Sequence, residues 1–312
     1  MNHKPLLIIA AILTVSCQDA VPLYKQADAP IEKRVEDLLS RMTLEEKILQ
    51  MNQVTLGTNL NQNNIGGEQV EPVLGSYITY TATDPTEINQ MQKRAMEETR
   101  LGIPVLFGFD AIHGFRTVYP IPLAQSCSWN PELVEKACSI SARESRLSGI
   151  PWTFSPMVDI ARDGRWGRCA EGYGEDPYTA SVFCAASVRG YQGDDLSDST
   201  KIAACIKHYI GYGASEAGRD YVPTEISSQT LWDTYMPPYQ AGIEAGAATV
   251  MSSFNTINGT PASASPYHLT QVLKEQFGWD GMIVSDWDAV KQLVYQGAAA
   301  DHKESAWRAV NA

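Results

Sequence analysis

No run of basic residues occurs in this chain, and its 24 Lys and Arg are outnumbered by 36 Asp and Glu, for a formal net charge of −12. Nucleic acid and anionic membrane surfaces are therefore poor partners, and a neutral substrate is easier to accommodate. No GxGxxG follows the first apolar strand and no Walker A motif occurs, so a nucleotide-binding sheet has little support. The six cysteines, Cys17, Cys127, Cys138, Cys169, Cys184 and Cys205, include no CxxC pair and no metal-ligand spacing, which leaves no argument for zinc. Most sit in apolar segments, as Cys205 does in IAACIKHY, and read as small core residues. A Cys127–Cys138 disulfide is open to the chain in an oxidising compartment, although nothing in the sequence demands it.

What is present begins with an address. Lys4 precedes an apolar run at 6–13, too short to span a bilayer, and small residues follow up to Cys17. The segment Leu13-Thr14-Val15-Ser16-Cys17 resembles a bacterial lipoprotein signal, with Thr14 where Leu is usual. Residues 1–17 are thus expected to be a signal peptide that leaves a lipid anchor at Cys17, exporting the protein to the periplasm or outer membrane of a Gram-negative bacterium. An ordinary secretory signal that happens to contain a Cys is the alternative.

The remainder, 44% of the whole being hydrophobic and 19% charged, has the composition of one large soluble domain. Helix starts are marked by an N-cap followed by proline at Asp84-Pro85, Asn130-Pro131, Asp176-Pro177 and Ser265-Pro266, and helix stops by Gly149, Gly193, Gly246 and Gly278. Thr43-x-x-Glu46 is a capping box opening a helix that runs to about Met51. Between helices lie near-continuous apolar runs at 73–79, 105–109, 152–158, 202–206, 248–254 and 282–285, the pattern of strands buried on both faces of a parallel sheet. Repeated β–α order predicts an α/β fold, and the missing nucleotide motifs favour a (β/α)8 TIM-type barrel over a doubly wound sheet. Counting strands gives six. The tail 288–312 is one helix's worth of chain, so the barrel is expected to be C-terminally incomplete, with about six strand–helix units.

In such a barrel catalytic groups stand where strands end. Here those tips carry Asp110, Asp159, Lys207 with His208, and Asp286 with Trp287. An Asp after a strand is often only a helix cap, but four polar tips together suggest a site. Vicinal hydroxyls need the donors and acceptors that Asp110, Arg168, Lys207 and His208 offer, and Trp287 suits the apolar face of a sugar ring. Glycoside cleavage needs two carboxyl groups flanking the bond, and Asp286 reads as the ionised one.

The motifs GFDAIHG (108–114), RDGRWGR (162–168), KHY (207–209) and GMIVSDW (281–287) resemble those of glycoside hydrolase family 3, the β-glucosidase and β-xylosidase family, from about residue 30 onward. The resemblance implies a barrel domain, usually followed by an α/β sandwich, and retaining hydrolysis of terminal β-glucosyl residues through a covalent intermediate without metal or organic cofactor. It makes Asp286 the nucleophile. Asp110, Arg168, Lys207 and His208 would hold the sugar hydroxyls, Trp287 would shape the pocket, and Met251 and Phe254 would fall near it. His113 would brace the loop behind Asp110, and Glu171, Glu175 and Asp176 would pair with arginines or cap a helix. Phe254 stands where many relatives carry Tyr, and Gly164 where Pro is common. KHYIGYGAS departs from the KHFPG-type loop of the N-acetylglucosaminidase branch, while SEAGRDYVPTEIS (215–227) is similar to the bacterial β-glucosidase branch.

The family's acid/base is usually a Glu from the domain after the barrel, and no such domain is present in these residues. Residues 18–312 are accordingly expected to be an incomplete N-terminal catalytic barrel from a longer enzyme acting on β-glucosides or short β-gluco-oligosaccharides. The alternatives are a β-xylosidase, a phosphorylase or transglycosylase on the same scaffold, and a catalytically incompetent sugar-binding lipoprotein.

Overall fold

The computed structural model describes residues 21–56, 73–79 and 84–312, so the expected signal segment and Cys17 lie outside the described residues. It divides into two compact units, Met1–Gln50 and Met51–Ala312. In the first, helices α1 (Ile31–Arg41) and α2 (Leu44–Gln50) are joined at the expected capping box. Thr43 N donates to Glu46 Oε2 at 2.8 Å and Glu46 N to Thr43 Oγ1 at 3.2 Å, satisfying two helix-end N–H groups reciprocally.

In the second unit, strands β1 (Gln53–Thr55), β2 (Ser76–Ile78), β3 (Leu106–Phe109) and β4 (Trp152–Thr153) pair in sequence order, all parallel. Strands β5 (Cys205–Tyr209), β6 (Thr249–Ser252) and β9 (Met282–Ser285) do the same, and an antiparallel hairpin, β7 (Thr256–Ile257) with β8 (Thr260–Pro261), is inserted after β6. Main-chain bonds carry the wall across from the β4 segment to the β5 segment: Thr153 N to Ala203 O at 2.9 Å, Cys205 N to Ser155 O at 2.9 Å and Lys207 N to Pro156 O at 3.0 Å. Every parallel strand thus lies beside its neighbour in sequence, the order of a barrel wall and not of a doubly wound sheet.

All six expected strands form. A seventh, β1, comes before them, so the expected count was one short. Its three residues are too few to show a pattern. The tail also differs: Gly297 at φ +71 ends α9 (Ala289–Tyr295), and Asp301 accepts from Glu304 N at 2.8 Å to start α10 (His302–Val310), giving two short helices where one was expected. The hairpin was not foreseen either. It turns on Asn258 and Gly259, both at positive φ, as a tight two-residue hairpin turn requires.

The proline-marked helices start as expected. Asp84, Asn130 and Asp176 cap α3 (Pro85–Glu98), α5 (Pro131–Leu147) and α6 (Pro177–Gln192), with the short α4 (Pro122–Ser126) between the first two. Further on, the single turn α7 (Ser228–Thr230) runs into a π-helical stretch, Leu231–Tyr235, ahead of α8 (Pro237–Glu244). Two apolar layers result. Outside the strands, Val134 and Cys138 of α5, Phe183 and Val188 of α6 and Tyr239 of α8 pack on Ile206 and Val250. Inside, Ile78, Trp152, Phe154, Cys205 and Met251 fill the lumen, with Val284 against them. Gln192 closes the bottom: its Oε1 accepts from Ala204 N and Ala248 N at 3.0 and 2.9 Å, and its Nε2 donates to Gly246 O at 2.7 Å. Every polar atom of this buried amide has a partner.

β9 was expected to be buried on both faces. Instead Met282 is 43% exposed, and among the described residues the strand pairs with β6 alone. Apolarity in a strand reports what the strand can cover, not what lies beside it. The disulfide considered between Cys127 and Cys138 is not formed: both thiols are free, Cys127 exposed after α4 and Cys138 buried beneath α6.

The α5–α6 crossing owes its closeness to Gly190. A Cβ there would lie 2.4 Å from Glu135 O and 2.6 Å from Cys138 Cβ, backbone and core atoms with little room to yield. Gly190→Ala is expected to destabilise the protein by about 1–3 kcal/mol, the usual cost of overpacking, as a lowered urea midpoint with unchanged slope.

Candidate active site

Asp110, Lys207, His208 and Asp286 stand at the C-terminal ends of parallel strands, and Asp159 follows the extended segment beyond β4 that bridges to β5 at Met157. Along β5 the two-residue period sends Cys205 into the lumen and Ile206 toward the helices. The pairing of β5 with β6 then shifts register between Ile206 and Tyr209. Such an irregularity re-aims side chains, and here two consecutive residues, Lys207 and His208, both reach the site.

Lys207, only 4% exposed, bonds Asp110 Oδ1 through Nζ at 2.6 Å. His208 Nε2 lies 3.4 Å from Asp286 Oδ2. On its other side, His208 Nδ1 and its backbone N meet Asp159 Oδ2 at 2.8 and 3.0 Å. Tyr239 Oη donates to His208 O at 2.6 Å and lies 3.2 Å from Asp159 Oδ1. Asp286 Oδ1 accepts from Trp287 N at 2.6 Å, whereas Asp286 Oδ2 is buried and has no hydrogen-bond partner, the approach of His208 lacking hydrogen-bond geometry.

Arg168 is gripped by Glu171 through two parallel bonds, Nε to Oε1 at 2.6 Å and Nη2 to Oε2 at 2.9 Å, and its guanidinium lies over the Tyr212 ring at 5.6 Å. The expectation that Glu171 pairs with an arginine and Asp176 caps a helix therefore holds. His113 Nδ1 meets Tyr119 O at 2.9 Å and braces the loop that follows Asp110. Met251 packs in the lumen beneath the site. Trp287 is 54% exposed and shares an open cleft of about 360 Å³ with Tyr221, Lys291, Tyr295 and His302.

Burial and charge oppose each other here. Burial pushes the Asp286 carboxyl up to about 6, against the Trp287 N–H and the Lys207 and Arg168 charges that pull it down. Asp159 rises to about 7, again chiefly by burial. Burial, with the charges of Arg168 and Lys207, holds the His208 imidazole neutral, well below its ordinary range. Among the described residues no group of three or more His, Cys, Asp or Glu converges as a metal site would.

Of the aromatic wall, the sequence pointed only to Phe254. Trp166, Tyr212 and Phe254 are buried side by side, and Trp166 Nε1 and Tyr212 Oη both donate to Asp220 Oδ1, at 3.1 and 2.5 Å. Tyr221 rests on Phe254 with ring centroids 4.7 Å apart. The loop that brings Tyr221 in is pinned to the unforeseen hairpin by Thr224 N to Thr256 O and Ile226 N to Asn258 Oδ1, each at 2.8 Å. Asp159 was visible as a strand-tip carboxylate, but only the fold puts it behind His208.

Carboxylates, a lysine and a neutral histidine thus converge at the strand tips of a parallel barrel wall. The chain belongs to the family of the glycosyl hydrolase family 3 N terminal domain, which it matches over residues 43–312. It is 40% identical over 271 residues to a periplasmic beta-glucosidase of Salmonella typhimurium, covering 87% of this chain and 35% of that protein. A beta-xylosidase of Formosa agariphila is 31% identical over 313 residues, covering 96% of this chain and 38% of the relative. The crystal structure of a beta-glucosidase from Listeria innocua in complex with glucose superposes with a TM-score of 0.82 at 38% identity, covering 90% of this chain and 41% of that one. The chain thus spans roughly two fifths of the length of the relatives it matches.

Proposed function

We propose that this chain supplies the sugar-binding and nucleophile half of a retaining, exo-acting β-glycosidase that hydrolyses terminal non-reducing β-D-glucosyl residues. The observation that carries this reading is the buried, unpartnered Oδ2 of Asp286. A carboxylate oxygen left without a donor, in a site where Lys207 and Arg168 favour its charge, is poised to attack an anomeric carbon. Asp110 and Lys207 form one hydroxyl-binding pair, Arg168 and His208 a second set of polar groups, and Trp287 the plate against which the ring or its leaving group rests. Residues 18–312 act as the catalytic barrel. Residues 1–17 serve as an export signal with a lipid anchor at Cys17, a reading that fits the periplasmic relative.

The test is intact-mass spectrometry after incubation with 2,4-dinitrophenyl 2-deoxy-2-fluoro-β-glucoside. Its leaving group departs without protonation, so the reagent reads the nucleophile alone. One fluoroglucosyl adduct, mapping to Asp286, is expected. Absence of an adduct in a folded sample, or an adduct on another residue, would overturn the assignment. A β-xylosidase is the second reading, favoured by the similarity to the Formosa protein. Faster labelling by the matching fluoroxyloside would select it.

A further inference from the structure

We propose that Asp159 is a positioning residue that locks His208 in its Nδ1–H tautomer, so that the imidazole turns a bare Nε2 lone pair toward Asp286. The argument starts from one oxygen. Asp159 Oδ2 lies 3.0 Å from the backbone N of His208, and a backbone N–H can only donate, so Oδ2 is an acceptor. A proton on Oδ2 would weaken that acceptor, whereas one on Oδ1 leaves Oδ2 its full lone-pair capacity. At Oδ1, Tyr239 Oη can receive it at 3.2 Å, because Tyr239 spends its own proton on His208 O at 2.6 Å. With Asp159 ionised, or with its proton on Oδ1, Oδ2 is an acceptor only, and His208 Nδ1, 2.8 Å from that same oxygen, is the donor.

A neutral imidazole that donates through Nδ1 has an acceptor at Nε2. Nε2 faces Asp286 Oδ2 at 3.4 Å, and that oxygen has no hydrogen-bond partner. With Asp286 ionised, this tautomer leaves two acceptors facing each other with no proton between them. The opposite tautomer would turn an Nε2–H toward Asp286 Oδ2 and favour a reorientation that spends the proton there, blunting the nucleophile. Asp159 thereby keeps Oδ2 free, and the gap beside Nε2 takes a hydroxyl that donates to His208. That the hydroxyl belongs to a sugar rests on the glycosidase reading; the tautomer stands on the hydrogen-bond geometry and the neutrality of the buried imidazole. Burial fits the role: Asp159 and His208 are 2% and 1% exposed, sealed from water that could exchange their protons.

The experiment is long-range ¹H–¹⁵N NMR of histidine-labelled protein at pH 8, with His208 assigned by the signal lost in His208→Gln, alongside the fluoroglucoside labelling rate. Wild type is expected to show a protonated Nδ1 and an unprotonated Nε2. Asp159→Asn should keep that pattern, its carbonyl replacing Oδ2 and its amide donating to Tyr239, and should label within about threefold of wild type. Asp159→Ala should populate Nε2–H and label about tenfold or more slowly, the scale of losing one hydrogen bond to a charged group. A wild-type Nε2–H signal, or a pure Nδ1–H signal in Asp159→Ala, would overturn the proposal. Should Asp159→Ala fail to fold, wild type and Asp159→Asn still decide. If the tautomer is as stated but no sugar adduct forms, the glycosidase reading fails and the positioning role survives.

Discussion

Asp286→Asn is expected to lose covalent labelling by a factor on the order of 10⁴ or more, the scale seen when a nucleophile is removed, while gaining heat stability at pH 8. Both effects come from the same burial. In the folded chain the carboxyl is pushed from its ordinary 3.8 to about 6, because most of its surface is cut off from water. Holding it ionised above pH 6 therefore costs folding energy, about 1–3 kcal/mol once its remaining exposure is allowed for. The folded state binds this proton more tightly than the unfolded state. The stability linked to it is full below pH 4 and lost as pH rises through 6. An amide of the same shape carries no such penalty, so the variant's advantage should be present at pH 8 and vanish near pH 4. Thermal melts at the two pH values, with intact-mass labelling at pH 8, check both halves. Labelling that persists at the wild-type rate would remove Asp286 from the nucleophile role.

Lys207→Met should shift the pH dependence of labelling upward and weaken sugar binding together. Lys207 is buried between carboxylates: it bonds Asp110 at 2.6 Å, and its charge is among those that lower the Asp286 pKa. Methionine keeps the stem's volume and removes the charge. Asp286 then ionises at a higher pH than about 6, so the midpoint of the labelling rate moves to higher pH and the rate at pH 6 falls. Binding of glucose should weaken by about 10–100-fold, as for the loss of a charge-assisted hydrogen bond. A labelling profile over pH 4–9 and a calorimetric titration with glucose report the two effects separately. An unmoved midpoint would mean that Lys207 holds Asp110 without acting on the nucleophile.

The fold was legible where the signal is local. Asp84, Asn130 and Asp176 cap their helices because a short polar side chain beside a proline can bond only the first free N–H groups. The six apolar runs became strands because few other structures bury continuous apolarity so briefly. What escaped was short or irregular: β1 with three residues, and the hairpin on Asn258-Gly259, which interrupts the β–α order without an apolar run of its own.

The sequence by itself determined the parallel α/β alternation and the polar residues at its strand ends, since periodicity, caps and strand-tip carboxylates are written within a few neighbouring positions. The tertiary structure alone decided which of those groups meet. Asp159 and His208 are 49 positions apart, Lys207 and Asp110 are 97 apart, and the Trp166–Asp220 bond spans 54. No local pattern encodes such pairs, because they depend on how the strands are placed side by side around the wall. The charge state of Asp286 belongs to the same class. Its carboxyl is an ordinary acid in the chain and becomes a half-protonated one near pH 6 only when packing excludes the water that would have solvated it.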